Sequence, residues 1–187
     1  VTALPSAELV PTPGQTVGPF FHYALPFPGD RDLIAPGSPG AIRLSGTVYD
    51  GAGNPVPDAL IEIWQADHAG RIPHRTGTFR RDGQTFTGFG RASTGRDGEY
   101  AFTTVIPGSV DGSLPFFAVT VFARGLLDRL FTRAYLPLGD AAPDALLTSL
   151  GPRATALITV PEEWGFRFDI TLQGDQEIPF LAYPGPA

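Results

Sequence analysis

The side chains that could do chemistry are few and scattered. Three histidines, His22, His68 and His74, all fall in expected loops. A transition-metal site needs two or more His, Cys or carboxylate donors brought together. His68 and His74, with Asp67 beside them, could reach a shared ion, but a solvated polar loop explains the same residues more simply. A serine triad on a strand-to-helix elbow would need Gly-x-Ser-x-Gly, which does not occur. Neither Gly-x-Gly-x-x-Gly nor a phosphate-binding Gly-x-x-x-x-Gly-Lys-Ser/Thr is present. Glu162 and Glu163 precede Trp164-Gly165, a turn where solvation accounts for both acids. Cysteine is absent, which excludes disulfides, thiolate metal sites and a Cys nucleophile. Arg124 stands apart, because it ends the most apolar stretch, Val121-Phe122-Ala123-Arg124-Gly125. A guanidinium there either snorkels to water or binds an anion at a cleft, and composition alone favours the first.

The elements that must position these residues read as β-structure. The 23 glycines and 20 prolines of 187 residues fall between apolar runs with no repeat period, as turns do in an all-β chain. The net charge of −6, with no basic cluster longer than two residues, argues against nucleic-acid and anionic-membrane partners. No apolar run approaches a bilayer span, and the start of the chain has no basic-then-apolar leader, so a cytoplasmic location is expected. Residues 1–40 are Pro-rich and aperiodic, an extended N-terminal arm. Residues 41–187 are expected to form a β-sandwich with a C-terminal tail, the strands ending near Gln173. Strands are predicted at Ile42–Val48, Ala59–Trp64, Glu99–Val105, Phe116–Ala123, Leu130–Leu136, Ala156–Val160 and Phe166–Leu172, by period-two or continuous apolar patterning. A long loop is predicted over Asp67–Gly88 and one short helix over Asp140–Leu150. Gly88-Phe89-Gly90 alone reads as a glycine pair of little meaning.

Several stretches, in order, resemble the intradiol ring-cleavage dioxygenases. They begin with Thr12-Pro13-Gly14-Gln15-Thr16-Val17-Gly18-Pro19-Phe20-Phe21 and Leu44-Ser45-Gly46-Thr47-Val48-Tyr49-Asp50. Ile61-Glu62-Ile63-Trp64-Gln65-Ala66-Asp67 follows, then Gly88-Phe89-Gly90-Arg91, Asp97-Gly98-Glu99-Tyr100 and Ile106-Pro107-Gly108. Phe131-Thr132-Arg133-Ala134-Tyr135 and Phe168-Asp169-Ile170 close the set. The resemblance implies a β-sandwich core and intradiol cleavage of a catecholate by Fe(III) and dioxygen. Family members that do this chemistry hold the iron with two tyrosines and two histidines. At the matching positions this sequence has Ile72, Val110, Phe116 and Ala118, and none of these side chains can donate a lone pair to iron. The departure resembles the two-chain branch of the family, in which one chain has lost the ligands and its homologue, the beta subunit, keeps them.

That resemblance carries further expectations. This chain binds no metal and holds no catalytic residue of its own. Its partner is a homologous iron-bearing beta subunit, and the cofactor is Fe(III) bound by that subunit. The substrate is protocatechuate, opened with O2 to 3-carboxy-cis,cis-muconate in aromatic catabolism. Thr16, Pro19 and Arg124 match substrate-pocket positions, which reverses the reading of Arg124 from composition. Two other readings stand beside this one. One is a non-catalytic sandwich used only for interaction. The other is a stand-alone dioxygenase with atypical ligands drawn from His22, Tyr23, His68, His74 or Tyr135.

Overall fold

The computed structural model describes residues 12–183, except 19, 75–80, 83–84, 138 and 140–142. Two antiparallel-rich sheets pack face to face. The first is built on β1 (Ala41–Tyr49), which pairs antiparallel with β4 (Glu99–Val105) and parallel with β8 (Gly165–Arg167) and β9 (Ile170–Thr171). β7 (Val160–Glu162) closes that sheet against β8. The second sheet runs β3 (Phe89–Ser93), β2 (Leu60–Trp64), β5 (Phe116–Phe122), β6 (Leu130–Tyr135), antiparallel throughout. The core between the sheets includes Leu44, Val48, Ile61, Ile63, Phe102, Phe117, Val119, Val121 and Ile170.

β5 shows how the pattern sets the faces. Phe117, Val119 and Val121 are buried in the core. Side chains alternate along a strand, so Phe116, Ala118 and Thr120 project from the outer face of the second sheet. The register then sets Trp64, Ala118 and Arg133 abreast across β2, β5 and β6.

Three readings of the pattern are corrected. Ala156–Val160 is not a strand, because a 3-10 helix over Gly151–Leu157 takes its place, with Pro152 in its first turn; Ile158 makes an isolated parallel bridge to Tyr135, and the strand there is Val160–Glu162. Phe166–Leu172 is broken into β8 and β9. At the break the Thr47 N–H donates to Asp169 Oδ1 at 2.8 Å instead of to a backbone carbonyl, while Phe168 N–H donates to Ser45 O at 2.7 Å. Phe89–Ser93 is a strand: its glycine is needed because a Cβ on Gly90 would lie 2.4 Å from Leu33 Cδ1. The short helix is α2 (Ala145–Leu150), N-capped by the Asp144 carboxylate, which accepts from Leu147 N–H at 3.0 Å. Residues 140–142 of the expected helix lie outside the described residues.

The arm is not wholly detached from this framework. It contains a single helical turn, α1 (Phe21–Ala24), and then docks: Leu33 N–H donates to Thr103 O at 2.8 Å and the Leu33 side chain is fully buried. Arg91, paired across the strands with Glu62, donates from Nη1 to Leu25 O at 2.9 Å. At the other end, Leu181 N–H donates to Phe131 O at 2.7 Å, tying the tail to β6.

Candidate functional site

Two loops and one strand face build a cavity on the outer side of the second sheet. The Asp67–Gly70 turn lies backbone to backbone on the Pro107-Gly108-Ser109 turn. Gly108 N–H donates to Asp67 O at 2.8 Å. Gly70 has φ +77°, and a Cβ there would sit 2.0 Å from Ser109 O; one on Gly108 would sit 2.4 Å from Gly70 N. Only glycine permits this approach. It is what carries Ile72 and Val110 to the same end of β5.

Gln65 fixes the floor. Its buried amide donates to Val105 O at 2.9 Å and Ala66 O at 3.1 Å, and its Oε1 accepts from Thr104 Oγ1 at 2.5 Å. The side chain therefore staples the end of β2 to the end of β4 in the opposite sheet, with both amide protons donated to the protein. Asp67 is held likewise. Burial alone would raise its carboxyl, but hydrogen bonds from Arg71 and Ala69 outweigh this and hold it below the ordinary carboxylate range.

Ile72, Val110, Phe116 and Ala118 all line this one cavity, of about 340 Å³, together with Trp64, Gln65, Pro73, Ser113 and Arg133. The four residues at the expected ligand positions are thus brought together from a loop, a turn and a strand. Among the described residues, Arg133 is the one charged group in the lining. Its guanidinium carbon lies 4.2 Å from the centroid of the Phe116 ring, and its Nη1 donates to the Tyr135 hydroxyl at 3.0 Å. That hydroxyl donates onward to Asp144 Oδ2 at 2.9 Å, and burial first of all raises its pKa. A ferric ion does not fit such a lining. The side chains at the four positions offer no lone pair, Gln65 is held by bonds to Thr104, Val105 and Ala66, and among the described residues the only charge is positive. Among the described residues, no group of three or more His, Cys, Asp or Glu could hold a metal ion. His68 and His74 are both exposed on their loop.

Thr16 and Arg124 meet elsewhere. The Thr16 Oγ1 accepts from Gly125 N–H at 2.6 Å, pinning the arm beside the turn after β5. Arg124 Nη2 pairs with Asp58 Oδ2 at 2.7 Å, its side chain 54% exposed against 15% for Asp58. Asp58 itself holds φ +62°. Pro19 lies outside the described residues. Phe116 and Phe122 are six residues apart along β5, about 20 Å at the rise of an extended strand. Arg124 is therefore at the far end of the strand from the cavity, beyond the reach of its own side chain.

Sequence reasoning overlooked Asp58 and Arg133. Asp58 follows Pro57 in a turn and carries no pattern signal. Arg133 was legible in part, since it alternates with the buried Thr132 and Ala134, but only register places it beside Ala118.

The family model described as Dioxygenase matches residues 24–114. The protocatechuate 3,4-dioxygenase alpha chain of Burkholderia cepacia is 38% identical, over 91% of this chain and 96% of that one. The beta chain of the same enzyme from Burkholderia cepacia is 32% identical, over 81% of this chain and 75% of that one. Among solved structures, the dioxygenase domain of a dioxygenase carbohydrate-binding protein fusion from Streptomyces sp. SirexAA-E superposes with a TM-score of 0.56 at 27% identity, covering 88% of this chain and 99% of that one. The all-β sandwich expected from the sequence is the fold of this family, and the chain belongs to the intradiol dioxygenases. Within them, its near-full-length similarity is to protocatechuate 3,4-dioxygenase alpha chains, and the alpha and beta names mark that enzyme as heteromeric. Among the described residues no helix is long and apolar enough to cross a membrane.

Proposed function

We propose that this chain is the iron-free alpha-type subunit of a protocatechuate 3,4-dioxygenase, inactive alone. The reaction is intradiol cleavage of protocatechuate with O2 to 3-carboxy-cis,cis-muconate, on Fe(III) held by a homologous beta-type chain in the cytoplasm. One observation carries the reading: the four ligand positions of the family converge on one cavity of this chain and supply only apolar side chains there. The fold has kept the place and lost the donors.

The other half of the reading concerns what the chain gives to its partner. Thr16 and Arg124 stand together at the opposite end of β5, where Arg124 cannot serve the cavity of its own chain. On this proposal Thr16, Pro19 and Arg124 wall the beta chain's substrate pocket, with Arg124 directed toward the protocatechuate carboxylate. An exposed arm supports the interface. Phe20 and Tyr23 are each 74% exposed and Leu25 40%, an apolar surface of the kind that permanent assemblies cover.

The test is co-expression. The chain produced alone is expected to hold no stoichiometric iron and to show no tyrosinate-to-iron band. The pair co-expressed with a chain carrying the two tyrosines and H-x-H is expected to sediment as one large complex, to contain iron and to open protocatechuate. Stoichiometric ferric iron in the lone chain, or a stable monomer that ignores its homologue, would overturn the proposal.

A further inference from the structure

We propose that the cavity at the N-terminal end of β5 is a binding site in its own right, for a monocyclic aromatic carboxylate of the benzoate class. The inference does not rest on the assignment of a partner, because every residue in it belongs to this chain.

Shape comes first. Ala118 stands between Trp64 and Arg133 in the cross-strand row, and its single methyl leaves a gap between two large side chains. Trp64 packs tilted against Phe89 at 4.6 Å between centroids, and Phe116 packs on Tyr135 at 5.4 Å, so both aromatic walls are braced by a neighbouring ring. The volume of about 340 Å³ is near the lower end of small-molecule sites, which run from roughly 300 to 1,000 Å³. One substituted ring suits it, and its faces would meet Trp64, Ile72, Val110 and Phe116.

Charge decides the class. Among the described residues Arg133 is the only ionic group in the lining, and no carboxylate lies within ion-pair distance of it. Its Nη1 is oriented by the Tyr135 hydroxyl, and its plane is held over the Phe116 ring. The remaining donors of a guanidinium form a fork that matches a carboxylate. A half-buried cation in an apolar cleft favours an anion over a neutral ring, and it rejects a cation. Aromatic walls with one fixed cation therefore select an aromatic ring bearing one negative group.

The experiment uses the full chain in the assembly in which it purifies. Benzoate binding is counted by equilibrium dialysis, and 4-fluorobenzoate is followed by ¹⁹F NMR, with benzyl alcohol as the neutral probe. The wild type is expected to show a class of benzoate sites, one per chain, that Arg133→Gln weakens at least about tenfold, the worth of one charge-assisted hydrogen bond. Benzyl alcohol, lacking the charge, is expected to be indifferent to Arg133→Gln. Ala118→Leu fills the gap between the walls and is expected to block both probes at this site. Any benzoate site on a partner chain would survive both substitutions, which separates the two sources. Equal benzoate occupancy in the wild type and in both variants overturns the proposal, as does density for the probe in a co-crystal only outside the Trp64–Ala118–Arg133 row.

Discussion

Replacing Arg124 by alanine separates two roles that the structure gives it. The guanidinium pairs with Asp58 at 2.7 Å, but its side chain is 54% exposed, so screening limits the ion pair to about 0.2–1 kcal/mol of stability. For a domain of this size that is a change in Tm of no more than a few degrees. Toward a substrate carboxylate the same cation supplies one charge-assisted hydrogen bond, roughly 1.5–3 kcal/mol where the partner chain excludes water. At about 1.4 kcal/mol per tenfold, kcat/KM for protocatechuate should fall about ten- to a hundredfold in the assembled enzyme. Catechol has no carboxylate, so its efficiency should barely change, and iron content should be that of the wild type. Asp58→Ala is the control, because it removes the ion pair and keeps the cation; it should reproduce little of the loss. Steady-state kinetics with both substrates, on all three proteins, decides the matter. Equal losses on catechol and protocatechuate, or a loss in Asp58→Ala as large as in Arg124→Ala, would refute the reasoning and assign Arg124 to holding the arm and turn.

Other outcomes follow from the core. The buried Tyr100 hydroxyl donates to Phe168 O at 2.5 Å, so Tyr100→Phe leaves that carbonyl unpaired, at a cost of about 1–3 kcal/mol read by denaturant unfolding. Burial also raises the pKa of Tyr100 far above the ordinary tyrosine value. A folded-state pKa raised above the unfolded one contributes stability that is complete below the unfolded pKa, about 10, and lost as pH rises beyond it. Thermal unfolding should therefore fall steeply above about pH 10, and less steeply in Tyr100→Phe; identical slopes would remove Tyr100 as the cause. Gly46→Ala should abolish soluble folded protein, because its Cβ would lie 1.8 Å from Phe168 O, and recovery of folded protein by circular dichroism would contradict the register of β1 against β8 and β9.

How much of this was legible depends on where the information sits. Strands that meet the core announced themselves by apolar patterning and flanking turns: Glu99–Val105, after the Arg96-Asp97-Gly98 turn, was read to the residue, and Phe116–Phe122, a nearly continuous apolar run, to within one. Phe89–Ser93 did not, because its Gly90 makes room for Leu33, a residue contributed from the arm some sixty positions earlier. Nor did the break between β8 and β9, where Asp169 substitutes a carboxylate for a backbone acceptor and the apolar alternation continues undisturbed. Local pattern reports burial, and both misses depend on a partner distant in sequence: the Leu33 side chain in one case, the Thr47 N–H in the other. The ligand positions were found by resemblance alone. Nothing in the spacing of Ile72, Val110, Phe116 and Ala118 shows that two glycine turns fold them onto one cavity.

That placement also explains how a chain can shed chemistry and keep its fold. Phe116 and Ala118 alternate with Phe117 and Val119, so a change on the outer face leaves the packed face of β5 intact. Ile72 and Val110 sit on turns fixed by Gly70 and Gly108, whose close approach is backbone to backbone and indifferent to the neighbouring side chains. On the reading proposed here, removing four donors left a gap rather than a strain. Apolar residues then occupied it, beside Arg133. The opposite end of β5, with Thr16 on the arm and Arg124 on the turn, shares no contact with that gap and could retain a role toward a partner. Arg133→Gln and Arg124→Ala should accordingly be independent: sites about 20 Å apart with no shared partners combine additively, within about 0.5 kcal/mol. The double variant should lose protocatechuate efficiency only as Arg124→Ala does, and benzoate binding in the Trp64–Ala118–Arg133 row only as Arg133→Gln does. A coupling larger than that would mean that β5 transmits between its two ends.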